Sequence, residues 1–273
     1  MNPIGFGKDV CPENKENARP ASFPPAEAVC SVVQVYFPHR QQAWAYYNNR
    51  FPLKKGDLVF VEGKLAGYPG RVTSVNTSFK IRISDYKQVI ARANTTVWGC
   101  FYSAGFHSIT FDPAALPYEQ FRSWVLPPRT EDEEYAVQFG KEGVPLQHLS
   151  DFGFSPATID RGGEYYCQNR VPYLCLDGDR GRAIVEGSRP YEVEFRYRDG
   201  QVSQLFCSGP CYAPCKHQVA VLLQLQDTLK DIQARYSKEW DASGYFAAVF
   251  TPTLFSMAVD GQPQTVLELK PLR

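Results

Sequence analysis

Four potential metal ligands fall within one run of eleven residues, Cys207-Ser208-Gly209-Pro210-Cys211-Tyr212-Ala213-Pro214-Cys215-Lys216-His217. Three thiolates and one imidazole are a standard donor set for a single structural zinc ion, which holds its four ligands in a tetrahedron at about 2.0–2.3 Å. An apolar pattern follows at once: Val219, Leu222, Leu225, Leu229, Ile232 and Tyr236 recur three or four apart, so the run feeds into a helix. Residues two apart lie about 200° apart around a helix. Cys215 is therefore expected on the entering turn and His217 in the first turn, where free amides and the helix dipole favour a thiolate. The competing reading is that these are small buried cysteines and a hydrogen-bonded surface histidine.

Strand patterns lead into that run. Tyr165-Tyr166, Val171 to Leu176, Arg182 to Val185 and Tyr191 to Tyr197 read as successive strands, with a turn at Asp177-Gly178-Asp179. Tyr191-Glu192-Val193-Glu194-Phe195-Arg196-Tyr197 alternates strictly, as a half-buried strand does. Asp199-Gly200 supplies a hairpin turn, and Val202 to Phe206 returns into Cys207.

Two stretches together resemble the SWIM zinc-finger family. The first is a lead-in of Arg161-Gly162-Gly163-Glu164-Tyr165-Tyr166, Arg170-Val171, Leu176-Asp177-Gly178 and Ala183-Ile184-Val185-Glu186-Gly187-Ser188 before Tyr191-Glu192-Val193. The second is Cys215-Lys216-His217-Gln218-Val219-Ala220. The family pattern puts its second cysteine two residues after the first, where this chain has Gly209. Either Cys211 takes its place, making the expected ligands Cys207, Cys211, Cys215 and His217, or the site is partly degraded; the tight turn that Gly209-Pro210 offers to bring both sulfurs together favours the former. Such domains bind DNA or protein, often beside remodelling ATPases or transposases, and the finger itself catalyses nothing.

Upstream the chain is different in kind. Residues 1–27 mix five prolines with Asn, Lys and Glu and show no apolar period, which reads as a flexible tail. From residue 28 to 112, short β-branched and aromatic stretches at Val29 to Phe37, Ala43 to Tyr47, Leu58 to Glu62, Tyr68 to Val75 and Phe79 to Ser84 indicate a small antiparallel barrel. Phe101, Phe106, Ile109 and Phe111 are expected to extend it. Its turn-and-strand grammar resembles SH3-like barrels. Residues 113–159 read as an acidic connector with short helices, one at Tyr118 to Val125 and stopped by Pro127-Pro128. Residues 160–240 form the finger domain, and 241–273 a β-hairpin cap built from Tyr245 to Val259 and Val266 to Leu272. The fold class expected is α+β, mostly β.

Charge is where composition matters. The formal net charge is zero, yet Ala28 to Arg92 carries ten basic residues against three acids, and Phe101 to Glu164 carries four against ten. The first block is expected to meet a polyanion, or else to attract the second block. Arg40, Arg50, Lys54, Lys55, Lys64 and Arg71 are the candidate nucleic-acid contacts, with Tyr36, Trp44, Tyr46, Tyr47 and Tyr68 available to stack bases. Alternatively those aromatics fill the barrel and the cations solvate its outside.

Eight cysteines, with no basic-then-apolar leader pattern in residues 1–25, point to a reducing compartment: cytoplasm, or the nucleus in a eukaryote. Cys167 and Cys175 are expected in the core. No apolar run approaches the roughly 18 residues of a membrane span, and no phosphate-binding loop, His-Glu-x-x-His or Gly-x-Ser-x-Gly motif occurs. The expected function is thus a non-catalytic, zinc-bound module contacting nucleic acid, DNA in preference to RNA, beside a separate helicase-like ATPase. Neither a membrane nor a small-molecule substrate is expected. A protein-interaction adaptor is the alternative, and a zinc enzyme would require one of the four ligands not to bind.

Overall fold

The computed structural model describes residues 30–80, 82–129, 143–210, 214–259 and 265–270. The tail at 1–27, the acidic run at 131–134 and Cys211 lie outside them.

Strands β1 (Ser31–Phe37), β2 (Gln42–Asn48), β3 (Leu58–Val61), β4 (Gly70–Asn76) and β5 (Val89–Ala93) form one antiparallel sheet in the order β2-β1-β4-β3-β5. β1 buries alternate residues, Val33, Val35 and Phe37, as the period of two requires, and Val59, Val61, Val72 and Val89 meet them inside. The Tyr47 N–H donates to the Lys87 carbonyl at 2.9 Å, just before β5. The two edges of the sheet therefore come back together.

The larger sheet has nine strands. β6 (Trp98–Ala104), β7 (His107–Thr110), β8 (Val144–Pro145), β9 (Tyr173–Asp177), β10 (Arg180–Glu186), β11 (Pro190–Arg198), β12 (Gln201–Cys207), β13 (Tyr245–Phe250) and β14 (Val266–Lys270) lie in the order β14-β6-β7-β13-β9-β10-β11-β12-β8. The class is α+β and mostly β.

Besides the strand expected at Phe79 to Ser84, which none of its described residues joins, three sequence expectations about strand placement are corrected here. β6 and β7, expected to extend the barrel, belong to the larger sheet. The expected C-terminal hairpin does not form, since β13 lies between β7 and β9 while β14 runs parallel to β6 at the edge. Tyr245, Phe246, Ala247, Ala248 and Val249 are all buried, the unbroken apolar run of a strand covered on both faces. Pro252 then ends the strand and opens the short helix Thr251–Leu254. Third, Tyr165 and Tyr166 lie in a helix.

That helix, Pro156–Cys167, starts where the Ser155 hydroxyl accepts from the Thr158 N–H at 3.2 Å and Pro156 occupies the first turn. In chain order the helices are α1 (Tyr118–Val125), α2 (Pro156–Cys167), α3 (Lys216–Arg235), α4 (Ser237–Ser243) and α5 (Thr251–Leu254). No helix among the described residues is long and apolar enough to cross a membrane.

The larger sheet is covered on both sides. Leu174, Leu176, Ala183, Val185, Val193 and Phe195 share a core with Val219, Leu222 and Leu225 of α3. Tyr173, Cys175, Ile184 and Val249 share the other with Phe121 and Trp124 of α1 and with Leu58 and Ala93 of the smaller sheet. The two sheets are thus joined through one apolar layer. Of the cysteines expected inside, Cys175 is buried, but Cys167 is exposed at the end of α2.

α2 crosses α3 at Gly162. A Cβ there would stand 2.4 Å from the Val219 side chain and 3.0 Å from the Lys216 carbonyl, whereas one at Gly163 would meet nothing within 4 Å. Gly162→Ala should cost about 1–3 kcal/mol by overpacking. Gly163→Ala should leave stability unchanged or raise it by up to about 1 kcal/mol, the helix preference for alanine. Denaturant unfolding of the two variants side by side checks this; equal effects would mean that the crossing is looser than described.

Candidate metal centre

Cys207 reaches the site by way of a β-bulge. Val202 and Cys207 both bury against the α3 side of the sheet, yet they are five residues apart, an odd spacing that would put them on opposite faces of a regular strand. The pairing of β11 with β12 slips between Glu194 and Arg196, where two steps on β11 face three on β12, and Gln204 takes a left-handed φ of 51°. The extra residue turns the end of β12 over and points Cys207, opposite Val193, at the start of α3.

The helix brings the other two. Cys215 is the N-cap of α3 in extended conformation, and His217 lies in the first turn, the arrangement that the helix geometry demanded. The Cys215 N–H donates to Gln218 Oε1 at 2.8 Å, while the Cys215 sulfur accepts from the Gln218 N–H, forming a capping box. Gln218 Nε2 also donates to the Leu205 carbonyl at 3.2 Å, tying the helix entrance to β12.

The sulfurs of Cys207 and Cys215 and a ring nitrogen of His217 lie within 4.8 Å of one another, and all three residues are buried. His217 Nδ1 is 3.7 Å from Cys207 Sγ and 3.9 Å from Cys215 Sγ. Zinc bonds of about 2.3 Å to sulfur and about 2.0 Å to nitrogen, set tetrahedrally, separate ligand atoms by about 3.5–3.8 Å. Both nitrogen–sulfur separations are therefore close to those a tetrahedral zinc ion would set, and the three donors could hold one. A hydrogen bond from the Cys207 thiol, helped by His217 and the Gln218 N–H, outweighs burial and brings the Cys215 thiol down to about 4. Such a sulfur is a thiolate at neutral pH, the form that binds metal.

Residues to which the sequence reading gave no part in the site close it. The Tyr191 ring stacks on His217 with centroids 4.5 Å apart, and Tyr165 tilts against it at 5.5 Å. Gly209, which stands at the resembled family's second cysteine, donates its N–H to Cys207 Sγ at 3.4 Å. A Cβ on Gly209 would lie 3.3 Å from that sulfur and 3.5 Å from His217 Nδ1, so this position faces the cluster directly.

The six barrel cations do not converge. Arg40 follows β1 and Lys64 follows β3, whereas Arg50, Lys54 and Lys55 lie on the β2–β3 connection, which leaves the antiparallel sheet from the other end. All five are exposed. Arg71 is engaged internally: its guanidinium donates to the Gly56 carbonyl at 3.1 Å and to the Ser256 carbonyl at 2.7 Å. Of the aromatics, Tyr46 and Tyr47 are buried, and Tyr68 is exposed but already stacked on His39 at 4.1 Å.

No family model matches the chain, and neither a curated protein nor a solved structure does.

Proposed function

We propose that the chain is a zinc-stabilised, non-catalytic binding module of the cytoplasm or nucleus that contacts nucleic acid, DNA in preference to RNA, beside a separately encoded remodelling ATPase. The convergence of Cys207, Cys215 and His217 carries this reading. Those residues would hold one ion, with Cys211, the thiol available in place of the SWIM pattern's second cysteine, as the fourth ligand. Bound there, zinc would act as a cross-link between the end of β12 and the start of α3. Arg40, Arg50, Lys54, Lys55 and Lys64, exposed and without an ion pair among the described residues, support an anionic partner.

Salt titration against labelled duplex tests the partner, because each neutralised phosphate contributes a slope of about −0.9 in log K against log salt. Lys54→Ala with Lys55→Ala should lower affinity several-fold and reduce the slope by about 1.8, with the melting curve unchanged. Absence of any salt-dependent affinity would sink the nucleic-acid reading. It would favour a protein partner instead, for which Phe106 and Trp98, 71% and 50% exposed, are the most exposed large apolar side chains among the described residues.

A further inference from the structure

The sequence assigned polyanion contacts to the smaller sheet, but three of the described cations that lie over aromatic rings surround the metal centre. The Arg170 guanidinium sits 4.6 Å from the centre of the Tyr165 ring and the Lys216 ammonium 4.5 Å from the same point. Tyr165 in turn packs on His217, Tyr191 stacks on the imidazole, and the Arg189 guanidinium lies 5.6 Å from the Tyr191 ring. The order Arg170 and Lys216, Tyr165, His217, Tyr191, Arg189 is therefore a continuous ladder. Arg161, one helical turn before Tyr165 on α2, falls on the same helix face. Glu186, which is exposed, is near enough for the Arg170 charge to oppose the rise that partial burial gives its carboxyl pKa. None of the four cations makes an ion pair among the described residues.

We propose that Arg161, Arg170, Arg189 and Lys216, held by the Tyr165–His217–Tyr191 stack, form a face that binds the phosphodiester backbone of nucleic acid. The proposal rests on the nucleic-acid reading above and assigns its main contact surface. Three things favour a phosphodiester backbone as the occupant. The charges on Arg170 and Lys216 are no more than about 9 Å apart, within one Debye length of about 10 Å at 0.1 M salt, so they act on an anion together. Arginine carries the bidentate fork that suits phosphate. The Tyr165 ring is already occupied by two cations and is not open to stack a base, so recognition at this face is of the backbone and indifferent to sequence. The metal centre fixes the first turn of α3, and with it Lys216 and the ring stack, so the ion and the anion surface are coupled mechanically.

The test compares wild type, Arg170→Gln with Arg189→Gln, and Lys54→Ala with Lys55→Ala, titrating each with salt against two duplexes of unrelated sequence. Both glutamine substitutions keep the metal ligands and all three stacked rings, removing only the charges that lie over Tyr165 and Tyr191, and unchanged melting curves verify that the stack survives. The finger pair is expected to lose roughly tenfold in affinity and to lower the slope by about 1.8, equally for both duplexes. Wild-type binding with an unchanged slope in the finger pair would overturn this assignment while leaving the nucleic-acid reading intact. No wild-type binding would end both. Displacement of duplex by poly-glutamate at equal charge concentration would show a general acidic-protein surface and overturn the phosphodiester assignment.

Discussion

Stripping the metal with a strong chelator is expected to lower the melting temperature by on the order of 10 °C. An ion that binds only the folded chain, at a free concentration a thousand times its dissociation constant, stabilises it by about 4.1 kcal/mol. Each kcal/mol moves the midpoint of a chain near this size by roughly 2–4 °C. The sequence alone would have the second domain collapse without zinc, as small fingers do. Packing argues for a more limited loss. α3 buries Val219, Ala220, Val221, Leu222, Leu225 and Ile232 on the large sheet, so the helix body keeps its core when the ion leaves. The turn from β12 into α3 does not. His217→Ala should show the same lowered midpoint and no longer respond to chelator, and elemental analysis should find one zinc per wild-type chain. A wild-type chain with no zinc and a melting curve indifferent to chelator would remove the basis of the metal reading.

What could be read from the chain was local. The spacing from Val219 to Tyr236 marks α3 because each residue reports on its neighbours one turn away. Asp199-Gly200 marks the β11–β12 turn for a similar reason, with Asp199 and Gly200 both at positive φ. Cys215 and His217 are placed by the helix start alone. The helix at Tyr118–Val125 was legible from its apolar face and the prolines after it.

Long-range arrangement was not legible. That β13 slots between β7 and β9 depends on pairing over more than a hundred residues to β7 and over more than sixty to β9, to which no local pattern refers. The bulge that aims Cys207 depends on a left-handed Gln204, a residue type with no preference for that conformation, so nothing in the sequence announces it. α2 was hidden behind Gly162-Gly163 and two tyrosines, all poor helix formers; the available signal was the Ser155-Pro156 start. Gly162 owes its place to the approach of α3, a tertiary fact. Arg71 shows the same limit for charge, because its count among the basic residues says nothing of the Ser256 carbonyl that it meets.

Replacing Glu192 should be among the most damaging single changes in the molecule. Glu192 lies on β11 at the entry to the metal site, with its backbone bonded in both directions to Ser208, the residue after Cys207, at 2.8 and 2.9 Å. Its Oε1 accepts from Tyr118 OH at 2.8 Å, from Arg122 Nε at 2.9 Å and from Arg129 at 2.8 Å. Arg122 is only 6% exposed, so Glu192→Ala leaves a buried guanidinium without its counter-ion. Removing one member of such a pair costs about 3–5 kcal/mol, or roughly 6–20 °C in the midpoint. Arg122→Met with Glu192→Leu should recover most of that loss, because an apolar pair of similar volume needs no desolvation. The same carboxylate sets an acid limit. Burial works to raise its pKa, but the bonds and charge of Arg122, with Tyr118 and Arg129, overcome that and hold it below the usual carboxylate value. A depressed folded-state pKa contributes stability that is present above the unfolded value of about 4.3 and disappears as pH falls through the folded one. Wild-type stability should accordingly drop below about pH 4.3, and Glu192→Gln, already without the charge, should show a shallower drop over the same window. Parallel acid titrations of the two proteins by circular dichroism measure the difference; superimposable curves would mean that the Arg122–Glu192 pair contributes nothing to the fold.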